Sequence, residues 1–186
     1  MNPIEALIRA ENWVPAGRAI RHELIKDPTN HWLLTRMSLT FYERHDYRKA
    51  LVFSQRAFAA DPECPLVLWD YAGTLQMLGR HRDAIEIHRK LIRRGPKKLA
   101  SGSCGEGLAR ARGLVADCHY RVSNSMEELG LSDEALGEFE RHLDMRGPGC
   151  QSIYTMSELN VKRAHLKNEK GRRAVPDLKN SSREEL

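Results

Sequence analysis

Residues 102–107 read GSCGEG, the stretch whose composition first raises chemistry: glycines that could wrap an anion, and a thiol, Cys104, that could attack an electrophile. A phosphate cradle needs a preceding strand, a lysine and a hydroxyl residue at the mouth of a helix, and none of these stands here. A cysteine nucleophile needs a base and an orienting acid, and no pattern in the chain supplies them, so Cys104 reads as a thiol in a flexible turn. Cys64, Cys104, Cys118 and Cys150 form no CxxC pair and no regular framework. That usage fits reduced thiols in a reducing compartment, with no metal site and no cofactor expected. Cys118 and His119 are adjacent, which on a helix sends them to different faces. His88, His119 and His142 fall where apolar residues belong and are expected as half-buried, hydrogen-bonded imidazoles, with a metal or pH-sensing cluster as the alternative. Nothing assembles into an acid/base dyad or triad, so no enzymatic activity is expected.

The second chemical feature is charge. HRKLIRRGPKK, residues 88–98, brings Lys90, Arg93, Arg94, Lys97 and Lys98 together, with Arg110 and Arg112 beyond. Cations near a helix C-terminus complement its dipole, so a solvated face is the plain reading. A functional reading would match the patch to an acidic protein surface or a nucleic-acid backbone, with steep salt dependence. The formal charge of +5 is concentrated at the C-terminal end, where residues 161–186 hold eight Lys or Arg against four acids. No run of eighteen apolar residues and no leader pattern occurs, so a soluble cytoplasmic chain with no membrane association is expected.

The elements that would position these groups repeat. Aligning Ala50 with Ala84 also aligns Phe41 with Leu75, Tyr47 with His81, Ala57 with Leu91 and Pro62 with Pro96, a 34-residue register without gaps. One period upstream lie Ala16, Ile20, Leu24 and Pro28. Each unit holds two amphipathic segments with apolar residues near i, i+3, i+4 and i+7, joined by a short turn. Gly79 and Gly130 sit where a left-handed residue ends a helix, DP or GP closes each second helix, and Ser132 followed by two acids suits an N-cap.

A 34-residue helical hairpin with small residues at fixed places resembles the tetratricopeptide repeat. Ser38, Ala72 and Ser123 take its first small position and Ala50, Ala84 and Ala135 its second. The resemblance implies an all-α, right-handed superhelical solenoid with a C-terminal capping helix. On that register residues 1–166 form one domain: a truncated repeat at 1–30, repeats at 31–64, 65–98 and 116–149, a loop and helix extension at 99–115, and a capping helix at 152–166. The extension is expected to lengthen the next first helix by about eight residues, projecting roughly 12 Å, and Gly113 would allow a kink; a separate extra helix is the other reading. Thr155 and Glu158 are spaced as a capping box. Residues 167–186 are polar, basic and broken by Gly and Pro, and are expected to be disordered.

The resemblance also implies that first helices line a concave groove. Carried over position by position, that groove takes Trp32, Thr35, Arg36, Leu39 and Tyr42 from one unit, Trp69, Gly73 and Gln76 from the next, and Tyr120, Arg121, Asn124 and Glu127 from the third. A clamp for acidic chaperone tails is not expected, because Thr35 and Leu39 stand where it would need Lys and Asn. The expected function is noncovalent: an adaptor or assembly scaffold holding a peptide or helical segment of another protein, with the rings packing internally as the sober alternative. Open solenoid ends also permit a homodimer. A protein partner ranks above nucleic acid, since no recognised nucleic-acid module is present.

Overall fold

A computed structural model describes residues 2–102 and 104–174, and among them it contains nine α-helices and no strand. Four antiparallel hairpins stack in chain order: α1 (Pro3–Arg9) with α2 (Trp13–Lys26), α3 (His31–Tyr42) with α4 (Tyr47–Ala60), α5 (Pro65–Met77) with α6 (His81–Ser101), and α7 (Leu108–Glu128) with α8 (Ser132–Met145). A ninth helix, α9 (Met156–Ala174), packs on α8. Helix pairs approach closely where side chains are short, and Ser38, Ala50, Ala72, Ala84, Ser123 and Ala135 are all fully buried. The chain is therefore an all-helical solenoid in which each hairpin buries its apolar stripe against its neighbours.

Every hairpin turns through one left-handed residue: Glu11 (φ 55°), His45 (φ 59°), Gly79 (φ 72°) and Gly130 (φ 75°). Only glycine adopts this conformation without strain, so Glu11 and His45 were not recognisable as turn points from residue type. The following residue caps the second helix. Asp46 does so with its side chain, accepting from Lys49 N at 3.2 Å, whereas Asn12, Arg80 and Leu131 make no side-chain cap bond. The N-cap expected at Ser132 is corrected accordingly: Leu131 follows the left-handed glycine and holds the cap, and Ser132 is buried one residue inside α8.

The interruption after the third hairpin is only in part as expected. The GP pair does end the first helical run of α6, as expected. Gly95 swings the backbone to φ 69°, ψ 161°, and Pro96 then opens a further helical run to Ser101, since the first helical turn has no use for the N–H that proline lacks. Residues 99–101 are thus helical rather than loop, and Leu99 is buried against Ala111 and Val115, so the N-terminal extension of α7 lies packed instead of projecting. Nor is α7 kinked at Gly113. A Cβ at that position would overlap the Gln151 carbonyl, so the glycine serves a close backbone approach.

The capping helix also differs from its expected span. Residues 152–155 are non-helical, and α9 starts at Met156 behind a reciprocal capping box: Thr155 N donates to Glu158 Oε2 at 2.7 Å and Glu158 N to Thr155 Oγ1 at 3.3 Å. α9 runs on to Ala174, so residues 167–174 are helical where disorder was expected. Leu159 and Leu166 anchor it in the core and Lys170 pairs with Asp133 at 3.4 Å, which extends the helix past its apolar part. The rest of the expected tail, 175–186, lies outside the described residues. Among the described residues no helix is long and apolar enough to cross a membrane.

Candidate functional site

The first helices α3, α5 and α7 enclose a hollow of about 660 Å³. Trp32 and Arg36 come from α3, Pro65, Leu66 and Trp69 from α5, and Arg110, Ala111 and Leu114 from the α7 extension, with Cys104 and Ile153 closing the rim. Of the twelve groove residues expected, Trp32, Arg36 and Trp69 line this hollow, and Tyr120, expected beside the tryptophans, does not. Helical spacing brings the two tryptophans there, each two positions into its helix or one turn further. Arg36 lies over the Trp32 ring at 5.4 Å and donates through Nε to Glu5 at 2.8 Å, so its charge is already partnered. The extension contributes side chains that repeat logic alone did not assign to the groove, because it lies outside the 34-residue frame.

Thr35 does not reach the hollow. It is buried, and its hydroxyl donates to the His31 carbonyl at 2.8 Å, because its position on α3 turns toward the hairpin interior. Leu39 is half-buried, and Gly73 faces open space where an added Cβ meets nothing within 4 Å. Neither lines the hollow, nor do Tyr42, Gln76, Tyr120, Arg121, Asn124 or Glu127.

Those remaining groove positions are occupied by the chain itself. Tyr154, in the segment before α9, stacks on Tyr120 with ring centres 3.9 Å apart. Arg121 places its guanidinium 5.5 Å from the Trp69 ring and 5.8 Å from Tyr154, while Gln76 Nε2 donates to the Arg121 carbonyl (2.8 Å) and to Ser125 Oγ (2.7 Å). Tyr42 packs edge-on against Tyr47 at 5.3 Å, and burial raises its phenol above the usual range against the pull of Arg121. Tyr120 is raised likewise by burial, with a hydrogen bond from Asn124 opposing. Glu127 accepts from Lys162 (2.5 Å) and pairs with His165 (2.7 Å), which docks α9. Half of the expected trough is thus a seat for residues 151–155 and α9.

Asp117 fastens that segment. Its carboxylate accepts from Ser152 Oγ at 2.5 Å and from Ile153 N at 3.0 Å, while Arg146 donates to the Tyr154 carbonyl at 2.6 Å and Gln151 N to the Ala109 carbonyl at 3.1 Å. Burial pushes the Asp117 carboxyl up despite these bonds. Neither Asp117 nor Tyr154 was visible as a site residue in the sequence. The only signal was negative, a carboxylate on an otherwise apolar helical stripe that needs a partner when buried.

The three singled-out histidines divide. His119 bonds Glu138 at 2.6 Å, and although burial opposes it, that contact holds the Glu138 carboxyl below its usual range. His142 Nδ1 donates to the Ala116 carbonyl at 2.8 Å, and burial lowers its pKa. His88 departs from the expected hydrogen-bonded imidazole. It is fully buried, neither ring nitrogen has a partner, and burial lowers it to about 3, so it is a neutral ring packed edge-on to Trp69 at 5.4 Å. Asp70, next to Trp69 in the chain, has a buried, unpartnered Oδ2, and burial raises its pKa to about 7 against the lesser pull of Ser38 and Arg36. None of these groups forms a nucleophile–base–acid series.

The basic stretch is divided as well. Arg94 bonds the Glu63 carbonyl and pairs with its carboxylate at 3.5 Å, and Lys90 lies 5.5 Å over Phe58, so both serve hairpin packing. Arg93, Lys97 and Lys98 are exposed, but the break at Gly95 separates Arg93 from the two lysines.

No family model matches the chain. No curated protein matches it either. Solved structures do. A crystal structure of MamA superposes with a TM-score of 0.67 at 16% identity, covering 94% of this chain and 88% of that one. MamA from residue 41 onward, from Desulfovibrio magneticus RS-1, gives 0.70 at 10% identity over 91% of this chain and 82% of that one. The N-terminal domain of stress-induced protein-1 from C. elegans gives 0.54 at 18% identity over 74% of this chain and 94% of that one. At these identities the likeness speaks to fold, and it agrees with the stacked hairpins: a helical solenoid of tetratricopeptide type.

Proposed function

We propose that the protein is a noncovalent adaptor or assembly scaffold that holds a segment of another polypeptide in the hollow between α3, α5 and α7. One observation carries the reading. The same row of first helices already seats an extended segment, residues 151–155, through a stacked ring at Tyr154 and main-chain bonds, while its neighbouring half, walled by Trp32 and Trp69, stays open. Two tryptophans beside a cationic side chain in a half-enclosed pocket have the composition of an interface anchor site. The occupant that fits is an extended or helical segment bearing a bulky apolar side chain. The reading has the protein working in the cytoplasm, and the proposed binding needs no cofactor, membrane or catalysis.

The experiment is site-directed photocrosslinking from the full chain in its native cells. A benzophenone side chain at Leu66, in the hollow, should capture a polypeptide partner, and one at the outward-facing Val52 should not. Trp69→Ala and Trp32→Ala should abolish capture, whereas Arg93→Glu with Lys97→Glu should leave it intact. The opposite pattern favours the electrostatic alternative, an acidic surface or nucleic acid on the 88–98 stretch. A crosslink between two copies of this chain would identify the partner as a homodimer mate.

A further inference from the structure

The interruption after the third hairpin returns to a distant part of the molecule. Cys104 is carried back to the N-terminal end of α3, where its Sγ lies 3.3 Å from His31 Nε2. Asp61 Oδ2 is 3.8 Å from the same Nε2. Cys64, at the N-cap of α5, completes the group, and one donor atom from each of His31, Asp61, Cys64 and Cys104 falls within 4.8 Å of all the others. From these four donors we infer a tetrahedral site for a thiophilic divalent cation, zinc by ligand chemistry, that clamps the 104–107 loop onto the second hairpin.

The donor set has the composition of a closed structural zinc site: two sulfurs, one imidazole nitrogen and one carboxylate oxygen. Zinc bonds of about 2.0 to 2.3 Å require ligand atoms roughly 3.3 to 3.8 Å apart along the edges of a tetrahedron. The two edges at His31 already have those lengths, 3.3 and 3.8 Å, and no other edge exceeds 4.8 Å. The remaining closure is about an ångström, within reach of side-chain rotation in a loop.

The surroundings support ligation. Asp61 Oδ1 accepts from the amides of Glu63 (3.1 Å) and Cys64 (3.0 Å), which fixes the carboxylate and leaves Oδ2 to point at the imidazole. Such outer bonds orient first ligands. Leu34, Ala57 and Val67 form an apolar floor against Cys64 and Cys104. Binding would release the two thiol protons to solvent and leave two thiolates and a carboxylate on a divalent ion; the excess negative charge faces the amide ends of α3 and α5, which favour it. The loop is also held at its base, since a Cβ on Gly105 would run into the Ala100 carbonyl, so Cys104 is presented from a tight turn. His31 and Cys104 both stand on the rim of the hollow, so the ion would fix one wall of it. The inference does not depend on what the hollow binds.

The test uses the full chain, reduced with a non-chelating phosphine, stripped with a chelator and resupplied with zinc or cobalt(II). Native mass spectrometry should find one zinc per chain, and the cobalt form should show a thiolate-to-metal charge-transfer band with the strong visible bands of a tetrahedral centre. Cys104→Ser, a near-isosteric change at a half-buried turn position and therefore expected to fold, should weaken zinc by more than the ten- to hundred-fold that loss of an outer-shell contact causes. Cys64→Ser and His31→Ala should do the same, and Cys150→Ser should bind as the parent does. Zinc bound no tighter by the parent than by Cys104→Ser, or cobalt taken up without the charge-transfer band, would overturn the assignment. So would a reduced chain that takes up no metal and closes a Cys64–Cys104 disulfide in air.

Discussion

Replacing Asp70 by Asn should uncover a pH dependence of stability that the parent chain conceals. Asp70 holds its proton up to about 7 because burial disfavours the carboxylate, against a usual value of 3.8. The folded state therefore binds a proton that the unfolded state has lost, and stability falls as pH rises from about 4 to about 7, at roughly 1.4 kcal/mol per pH step and about 4 kcal/mol in all. His88, edge-on to Trp69, does the reverse. Its usual value of 6.5 is lowered to about 3 by burial, so its contribution is complete above 6.5 and is lost as pH falls. Between about pH 4.5 and 6.5 the two slopes oppose each other at similar size, and the parent should show little net dependence from this pair. Asp70→Asn removes one arm. Urea unfolding followed by tryptophan fluorescence, at half-unit steps from pH 5 to 8, should show the variant gaining on the parent by about 1.4 kcal/mol per pH unit up to pH 7 and levelling above it. His88→Phe keeps a ring against Trp69 and should tilt the curve the other way. Asp117 and His142, 3.9 Å apart and shifted in opposite directions by burial, contribute equally to all these curves and drop out of the difference. Parallel curves for parent and Asp70→Asn would refute the buried carboxyl that holds its proton to about 7.

Other outcomes follow from packing. Gly113→Ala places a methyl into the Gln151 backbone, so thermal melts should show a loss at or above the upper end of the usual 1 to 3 kcal/mol overpacking range, with faster amide exchange at Ile153. Ala84→Leu, at a fully buried helix crossing, should cost about 1 to 3 kcal/mol, and a melt matching the parent would contradict the hairpin interface there. Tyr154→Ala removes the ring that stacks on Tyr120; proteolysis should then cut residues 150–155 faster, while photocapture through Leu66 persists because the open half of the trough is left intact. Capture lost with Tyr154 would mean that the two halves act as one site.

The legible part of this chain was the part that repeats. A 34-residue spacing of alanines, serines and apolar stripes dictates helical hairpins and their stacking, because each contact there is made between neighbours in sequence and recurs in every unit. Trp32 and Trp69 could be placed on one wall for the same reason. Where the period breaks, sequence logic fell short in specific ways: after the GP pair ended one helical run it opened another, Gly113 made room for a distant backbone, and Tyr154 filled a trough that the repeat frame left empty. Those positions answer to residues far away in the chain. The four donors at His31, Asp61, Cys64 and Cys104 are the extreme case, with no spacing that marks them and three segments that meet only after the solenoid has closed. Local periodicity determined the hairpins, since helix formation and neighbour packing are decided within a few tens of residues. What covers the trough and which polar groups converge were decided by tertiary contact alone, because burial and ligation depend on distances that only the assembled stack defines.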